Sequence, residues 1–417
     1  MEKIEYKKRE SCAISNSNDF STILDLGIVP LAGYFPTHEQ VISGHESKYP
    51  LKLLLCNKSK LVQVDSVIDP DILFKDYRYR SSVGLSKHFN ELANILNLKY
   101  NVENKNILEI GCNDGVLLEP LSELGAKVEG VDPASNITKV ARAKGLSIYD
   151  TYFNYENFKD DKFKEKYDLV LANNSFAHIT NILDVVKGIQ YVLKPNGDFV
   201  FEVHYLRNLI DESQWDNIYH EHIYYYSITA LHNLFKQFDM TVIDFEEIPI
   251  HAGSIRVTVK NAKLDMPNHI KDRLILEFNT ICNKDYLHRF QTKVLSHIDQ
   301  FKKQINQLSK KYTIAGYGAS GRANMFCNLT NLNETQIKFV VDESPERCGR
   351  YIANTKIPIV DINKLKESNV DLLIIFAWNY SKMIIDKTQF KKFKYLVAFP
   401  NIQIVDNYSE LKGFISI

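Results

Sequence analysis

The chain has 417 residues, and 51 Lys plus Arg balance 51 Asp plus Glu. Such a length builds about two or three domains with substantial cores, and a net charge of zero argues against nucleic acid or an anionic membrane as partner. No apolar run approaches the ~20 residues of a membrane span, and the polar opening Met1-Glu2-Lys3-Ile4-Glu5 is not that of a signal peptide, so the expected compartment is the cytoplasm. Six scattered cysteines argue against a disulfide framework. Tyr and Phe number 23 each, a surplus that could furnish a platform for a sugar or a base.

Residues 1–80 read as a small leading unit. Cys12-Ala-Ile-Ser15 and Cys56-Asn-Lys-Ser59 flank Leu24-Asp-Leu-Gly27, Pro30-Leu-Ala-Gly33 and Tyr49-Pro-Leu-Lys-Leu. Two Cys-x-x-Cys pairs would offer four thiolates to a tetrahedral zinc ion. Here Ser15 and Ser59 end the pairs, and a serine hydroxyl stays protonated at neutral pH and is a poor ligand. The expectation is a zinc-ribbon shape without metal, with Cys12 and Cys56 as the remaining candidate ligands. Phe74-Lys-Asp-Tyr77-Arg-Tyr79-Arg-Ser81-Ser82 then interleaves aromatic and basic residues before a helix predicted from Lys87 to Leu98. It is either a half-exposed helix approach or a loop offering phenol hydroxyls to a site.

Asn106-Ile-Leu-Glu-Ile-Gly-Cys-Asn-Asp-Gly115 passes from an apolar run through an acid into a glycine-bounded turn, and Leu117, Leu118, Leu121 and Leu124 follow at helical spacing. That predicts strand, tight turn, helix. Gly111 and Gly115 let the backbone approach a ligand, and the helix N-terminus offers unpaired N–H groups. Asp132 closes the next apolar run about twenty residues on, where a dinucleotide fold places its ribose-binding acid. A phosphate cradle would carry glycine where Asn113 stands, and Glu109 would repel a pyrophosphate while suiting a cationic or zwitterionic ligand. Glu109-x-Gly111-x-Asn113-x-Gly115 resembles motif I of the S-adenosylmethionine-dependent methyltransferases, with Asn for their usual middle glycine. The resemblance implies S-adenosylmethionine as cofactor, held by Glu109, Gly111, Asn113, Asp114, Gly115 and Asp132.

Short apolar runs at Val128–Asp132, Ser147–Tyr149, Tyr167–Ala172 and Asp198–Val203 alternate with helical segments such as Ile182–Leu193. This predicts an α/β fold, a parallel sheet with helices on both faces. Asn173 and Asn174 end a strand at the carboxyl edge, where such sheets bind ligands. His178 follows, as a satisfied core histidine or as part of the site. Trp215-Asp-Asn-Ile-Tyr219-His220-Glu221-His222-Ile-Tyr224-Tyr225-Tyr226-Ser227 is the densest cluster of titratable and aromatic groups. Metal binding would want more ligands at helical spacing, whereas acid–base chemistry needs one imidazole near neutrality and a neighbour to orient it. Met240–Pro249 and Gly253–Lys260 alternate as a closing antiparallel pair. Arg256 in the second reaches either the site or a surface carboxylate. Residues 81–262 thus form the predicted catalytic domain, and 263–309 a charged linker of about two helices. From 310 to 417 a second unit begins with the full fingerprint Gly316-x-Gly318-x-x-Gly321, with Asp342 about twenty residues on. With Arg322 beside its turn it suits a diphosphate, unless the glycines only pack helix on sheet.

In this order and spacing the motifs resemble the sugar C-methyltransferases of deoxysugar biosynthesis, over nearly the whole chain. The resemblance rests on Leu-Asp-Leu-Gly…Pro-Leu, the tyrosine loop at 77–82, Glu-Ile-Gly-Cys-Asn-Asp-Gly, Asn-Asn-Ser-Phe-Ala-His-Ile, Tyr-His-Glu-His, Gly-Ser-Ile-Arg and Gly-Tyr-Gly-Ala. It implies a methyltransferase core between a zinc-ribbon-like leading domain and a C-terminal Rossmann-like domain that binds the nucleotide sugar. The implied substrate is a nucleotide-linked 4-keto sugar, methylated on carbon through an enolate. It implies His222 as base with Glu221 and Tyr219 beside it, and His178 with Tyr77 or Tyr79 on the ketone or sugar. Arg256, Gly316, Gly318 and Arg322 are the expected substrate contacts. The family's zinc cysteines are half replaced here, and Arg322 stands where similar proteins often have Lys. The alternatives are an O-methyltransferase on a nucleotide sugar and a non-catalytic nucleotide-sugar binder.

Overall fold

The computed structural model describes residues 6–44, 46–74 and 81–412. Its largest sheet has seven strands in the order Thr241–Ile248, Ser254–Lys260, Leu193–His204, Tyr167–Asn173, Asn106–Ile110, Lys127–Val131, Ser147–Tyr149. The last five run parallel, and the other two close the edge as an antiparallel pair. Strands covered by helices on both faces need apolar side chains on both, so Asn106–Ile110 and Tyr167–Asn173 carry almost unbroken buried runs. Helices Leu118–Glu123, Ser135–Ala143 and Ile182–Val192 make the crossovers. The strand order reverses between Asn106–Ile110 and Tyr167–Asn173, and the crevice at their carboxyl ends is where such a sheet takes a ligand.

A six-stranded sheet follows, in the order Ile359–Val360, Val340–Val341, Ile314–Tyr317, Leu372–Ile375, Lys394–Val397, Gln403–Val405, parallel except for the last strand. Between the two sheets lie helices Asn268–Asn279 and Lys284–Leu308. The long helix buries Leu287, Phe290, Val294, Ile298, Phe301 and Ile305 along one stripe, and Phe301 meets Phe326 edge to face at 4.6 Å. Its first half bonds Asp211 through Tyr286 and Lys293, and its second half reaches the C-terminal unit through Phe301.

The leading segment builds its antiparallel sheet only with help from mid-chain. Tyr224–Tyr225 pairs with Val62–Val64, which pairs with Tyr49–Cys56 and then Phe20–Val29. Tyr224, Tyr225 and Tyr226 are core residues, so this part of the aromatic cluster is structural. The three parts of the chain meet around Ala32 and Gly33. Gly33 N–H donates to Glu221 Oε1 at 2.7 Å, and Asn324 Nδ2 donates to the carbonyls of Ala32 at 2.7 Å and Tyr34 at 2.8 Å. Among the described residues all six cysteines are free thiols, and no helix is long and apolar enough to cross a membrane.

Candidate active site

The first glycine-rich turn sits at the switch point of the large sheet. Gly111 has φ +74°, and a Cβ there would lie 2.5 Å from Ser175 Cβ, so only glycine lets the turn pass the next strand's end. Ser175 Oγ closes the contact by donating to the Ile110 carbonyl at 2.7 Å. Glu109 is buried and accepts from Asn173 Nδ2 at 3.3 Å through Oε1, while its Oε2 has no partner. Asp114 Oδ1, Asn173 Oδ1 and both amide atoms of Asn174 are likewise buried without partners among the described residues. Burial, opposed by the Asn173 bond and assisted by Asp132 and Asp114, pushes the Glu109 carboxyl up to about 8. Asp132 accepts from Asn113 N–H at 3.0 Å and Ala134 N–H at 2.9 Å, one per oxygen, leaving a second lone pair on each. Asn113 and Asp114 also bind the start of helix Ser82–Tyr100. Ser81 N–H donates to Asn113 Oδ1 at 3.0 Å and Ser82 Oγ to Asp114 Oδ2 at 2.5 Å. Gly115, φ +76°, packs against Ala141 and Leu146. Tyr77 and Tyr79 lie outside the described residues.

Beyond the carboxyl ends of Tyr167–Asn173 and Leu193–His204, four imidazoles converge. The His222 ring lies 5.1 Å from that of His178, 4.7 Å from His204 and 3.9 Å from Tyr219, and His204 lies 5.6 Å from His251. His222 Nδ1 donates to the Asn217 carbonyl at 3.1 Å. A carbonyl can only accept, so the proton of the neutral ring sits on Nδ1 and Nε2 carries the free lone pair. Burial first, then the neighbouring imidazoles, hold His222 and His204 well below the ordinary histidine value. Burial lowers His178 too, and takes His251 to about 4. His178 Nδ1 donates to the Glu221 backbone carbonyl at 2.5 Å. The Glu221 side chain turns instead toward Gly33, with Oε2 buried and unpartnered. His204 and His251 are additions to the sequence-derived list. The strand-end position of His204 was a usable signal; His251, in a left-handed turn at φ 53° before Gly253, carried none.

The expected substrate contacts fall differently. Arg256 is spent inside the sheet: its Nε and Nη2 reach Glu202 Oε1 at 2.9 and 2.8 Å, and Nη1 reaches Glu246 at 2.8 Å. Glu202 is fully buried and also bonds His88 at 2.8 Å. Arg256 therefore takes the carboxylate alternative and leaves the list of substrate contacts, since a buried carboxylate needs that charge beside it. Gly316 and Gly318 face Phe376 and Ala377, where a Cβ would come within 2.4 Å of the ring and 2.7 Å of the methyl. Packing alone requires glycine at both positions. Arg322 sets Nε and Nη2 on Asp216 at 2.9 Å each and lies 4.5 Å over the Trp378 ring. Its charge still reaches the imidazoles, lowering His204 and His251 further after burial.

In the leading unit Cys12 Sγ lies 3.0 Å from Ser59 Oγ, and Ser15 Oγ 3.4 Å from Cys56 Sγ. The two knuckles close on each other by hydrogen bonds. Burial pushes the Cys56 thiol up, but the bonds from Ser15, Ser59 and the backbone outweigh it and leave it lowered. Two thiols and two hydroxyls do not fit zinc, and among the described residues no group of three or more His, Cys, Asp or Glu is placed to hold a metal.

Three family models match in succession: "Putative zinc binding domain" over residues 12–74, "Methyltransferase domain" over 84–244, and "C-methyltransferase C-terminal domain" over 249–400. C-methyltransferase NovU of Streptomyces niveus is 28% identical over 96% of this chain and 98% of its own length. The chain is an S-adenosylmethionine-dependent methyltransferase, similar over nearly its whole length to a C-methyltransferase. A ubiquinone biosynthesis O-methyltransferase of Bradyrhizobium diazoefficiens is 37% identical, but over only 22% of this chain and 36% of its own. Among solved structures, the PH0226 protein of Pyrococcus horikoshii matches 46% of this chain and 97% of its own at 19% identity, with a TM-score of 0.37. The zinc-binding description and the side chains of this methyltransferase part company at Ser15 and Ser59.

Proposed function

We propose that the protein transfers a methyl group to the carbon next to a ketone in a nucleotide-linked 4-keto sugar. The observation that carries this is the buried His222, its Nε2 freed by the Asn217 carbonyl, at the carboxyl edge of a sheet whose switch point holds unpartnered acid and amide groups. Those groups fit S-adenosylmethionine. Glu109, Asn173 and Asn174 would hold its charged amino-acid end and Asp132 its ribose hydroxyls, with Gly111 keeping the turn clear. When bound, that cofactor supplies an electrophilic methyl group on sulfur, to be taken up by the substrate carbon.

The protein's part is to make that carbon nucleophilic. His222 Nε2 takes the proton on the carbon next to the ketone, giving an enolate, and the neutral state enforced by burial keeps the lone pair ready at neutral pH. The Tyr219 hydroxyl is the group we assign to the ketone oxygen, where burial strengthens its hydrogen bond to the developing charge. His178, its proton on Nδ1 and held by the Glu221 carbonyl, offers an acceptor Nε2 suited to a sugar hydroxyl. Arg322 is our contact for the diphosphate. Its bonds to Asp216 use two of its five N–H donors and aim the rest.

Mass spectrometry after incubation with S-adenosylmethionine and thymidine-, guanosine- and cytidine-diphosphate 4-keto sugars tests the reading. Gain of one methylene unit on one sugar is expected, with prior exchange of its carbon-bound proton into deuterated water. A methyl group gained without that exchange would mean transfer to oxygen. His222→Gln should lose about 10²- to 10⁴-fold in kcat with cofactor affinity unchanged.

A further inference from the structure

The base-bearing segment begins with three consecutive residues that do two different things. Trp215 and Asp216 reach into the C-terminal unit. The Trp215 ring stacks on Phe326 at 5.0 Å with 20° between the planes, and its Nε1 donates to His297 Nδ1 at 2.9 Å. Asp216 is 1% exposed and accepts three hydrogen bonds, two from Arg322 and one from Trp378 Nε1 at 3.0 Å. Asn217, the next residue, turns back to the methyltransferase pocket. Its carbonyl takes both His222 Nδ1–H at 3.1 Å and the Tyr225 hydroxyl at 3.2 Å. With both preceding side chains locked, the peptide group that presents this carbonyl has little freedom left.

We propose that the C-terminal unit, together with the long helix before it, is a positioning device for the base: Trp215 and Asp216, held by Phe326, His297, Arg322 and Trp378, fix the Asn217 carbonyl that selects the tautomer of His222. The inference rests on His222 being the base. It gives this second α/β unit a task independent of any ligand at its own glycine-rich turn. Trp215 and Asp216 are positioning residues in this scheme, since neither touches the reacting atoms. Among the described residues, the titratable and aromatic groups facing His222 are His178, His204, Tyr219 and Tyr225, with His251 behind His204, and the substitutions below leave all of them in place.

The test is ¹⁵N NMR of the full chain labelled at its histidine rings, near neutral pH, with the His222 signals assigned by their loss in His222→Gln. The unsubstituted protein should show one tautomer, protonated at Nδ1. In Asp216→Asn the His222 signals should move to the average of two tautomers, and kcat on whichever sugar the panel identifies should fall about 10- to 100-fold. Cofactor affinity should hold, and any rise in KM from the loosened Arg322 should accompany the kcat loss rather than replace it. Trp378→Phe removes one hydrogen bond, keeps the ring, and should move both readouts the same way but less. If Asp216→Asn does not fold, Trp378→Phe decides. An unchanged Nδ1–H signature in a folded variant overturns the proposal, and a rise in KM alone would assign the clamp to substrate binding instead. Full methyl transfer by His222→Gln would fail the base assignment itself, whereas an inactive His222→Gln beside an unshifted Asp216→Asn would fail only the positioning role.

Discussion

The chain carries two glycine-rich strand–turn–helix units, and they have opposite interiors. Around Gly111 the turn is ringed by Glu109, Asp114, Asn173 and Asn174, all with buried polar atoms that lack a protein partner. Around Gly318 the same architecture is closed mainly by packing, with Ser320 Oγ buried and unpartnered among the described residues. Phe376 covers Gly316, Ala377 abuts Gly318, and a Cβ on Gly321 would lie 3.2 Å from Ala32 of the leading unit. The strand-end acids hold their turns alike, Asp132 through Asn113 and Ala134 N–H and Asp342 through Ala319 N–H at 2.7 Å and Ser344 N–H at 2.8 Å. But Asp342 also meets Arg347 at 3.4 Å, whereas Asp132 lies beside the unpartnered groups. The second unit has the fuller glycine fingerprint and the less open turn. A spacing of glycines records where backbones come close, and what they approach can be a ligand or another part of the protein.

The widest gap between the units should appear in ligand-induced stability. S-adenosylmethionine at a hundred times its Kd should stabilise the protein by about 2.7 kcal/mol in thermal unfolding, and NAD at millimolar concentration should do nothing. A Tm rise with NAD would reopen the second turn as a nucleotide site. Next come the glycines. Gly316→Ala and Gly318→Ala should each lose about 1–3 kcal/mol of stability by overpacking, with cofactor affinity intact. Gly111→Ala should lose cofactor binding, read by calorimetry. Equal loss of binding in all three variants would erase the distinction.

A smaller effect concerns protons. With the Glu109 carboxyl at about 8 in the free protein, it holds its proton at pH 7, and a cationic ligand favours the carboxylate. Binding at pH 7 should therefore release up to about 0.9 proton, and the release should fade above pH 8, where the group is already ionised. Calorimetry in two buffers of different ionisation enthalpy measures this, and identical heats would refute it. The smallest expected effect is none. A strong chelator should leave Tm unchanged, whereas the double variant Ser15→Cys/Ser59→Cys should take up about one zinc per chain by elemental analysis.

Much of the catalytic sheet was legible in the sequence, because its strands are buried on both faces and read as continuous apolar runs. Ser147–Tyr149 was read to the residue, and Tyr167–Asn173 to within one. The first glycine turn was legible because an acid before a glycine turn is chemically odd. What stayed hidden depends on partners far apart in the chain. The strand Tyr224–Tyr225 is too short to show a period and exists only because Val62–Val64 pairs with it. Arg256 and Arg322 read alike as basic residues in useful places, and only the fold reveals Glu202 beside one and Asp216 beside the other.

The junction at Ala32 and Gly33 has a consequence for anyone dividing this protein. A chain begun at residue 81 would leave Tyr224–Tyr225 without a strand to pair with, and a buried Glu221 carboxyl without its Gly33 N–H. It would also leave Asn324 with two unanswered amide donors on the first turn of a helix in the other α/β unit. One cut at the front would damage both of the sheets behind it. The chain should therefore resist limited proteolysis at its apparent boundaries and unfold in a single transition.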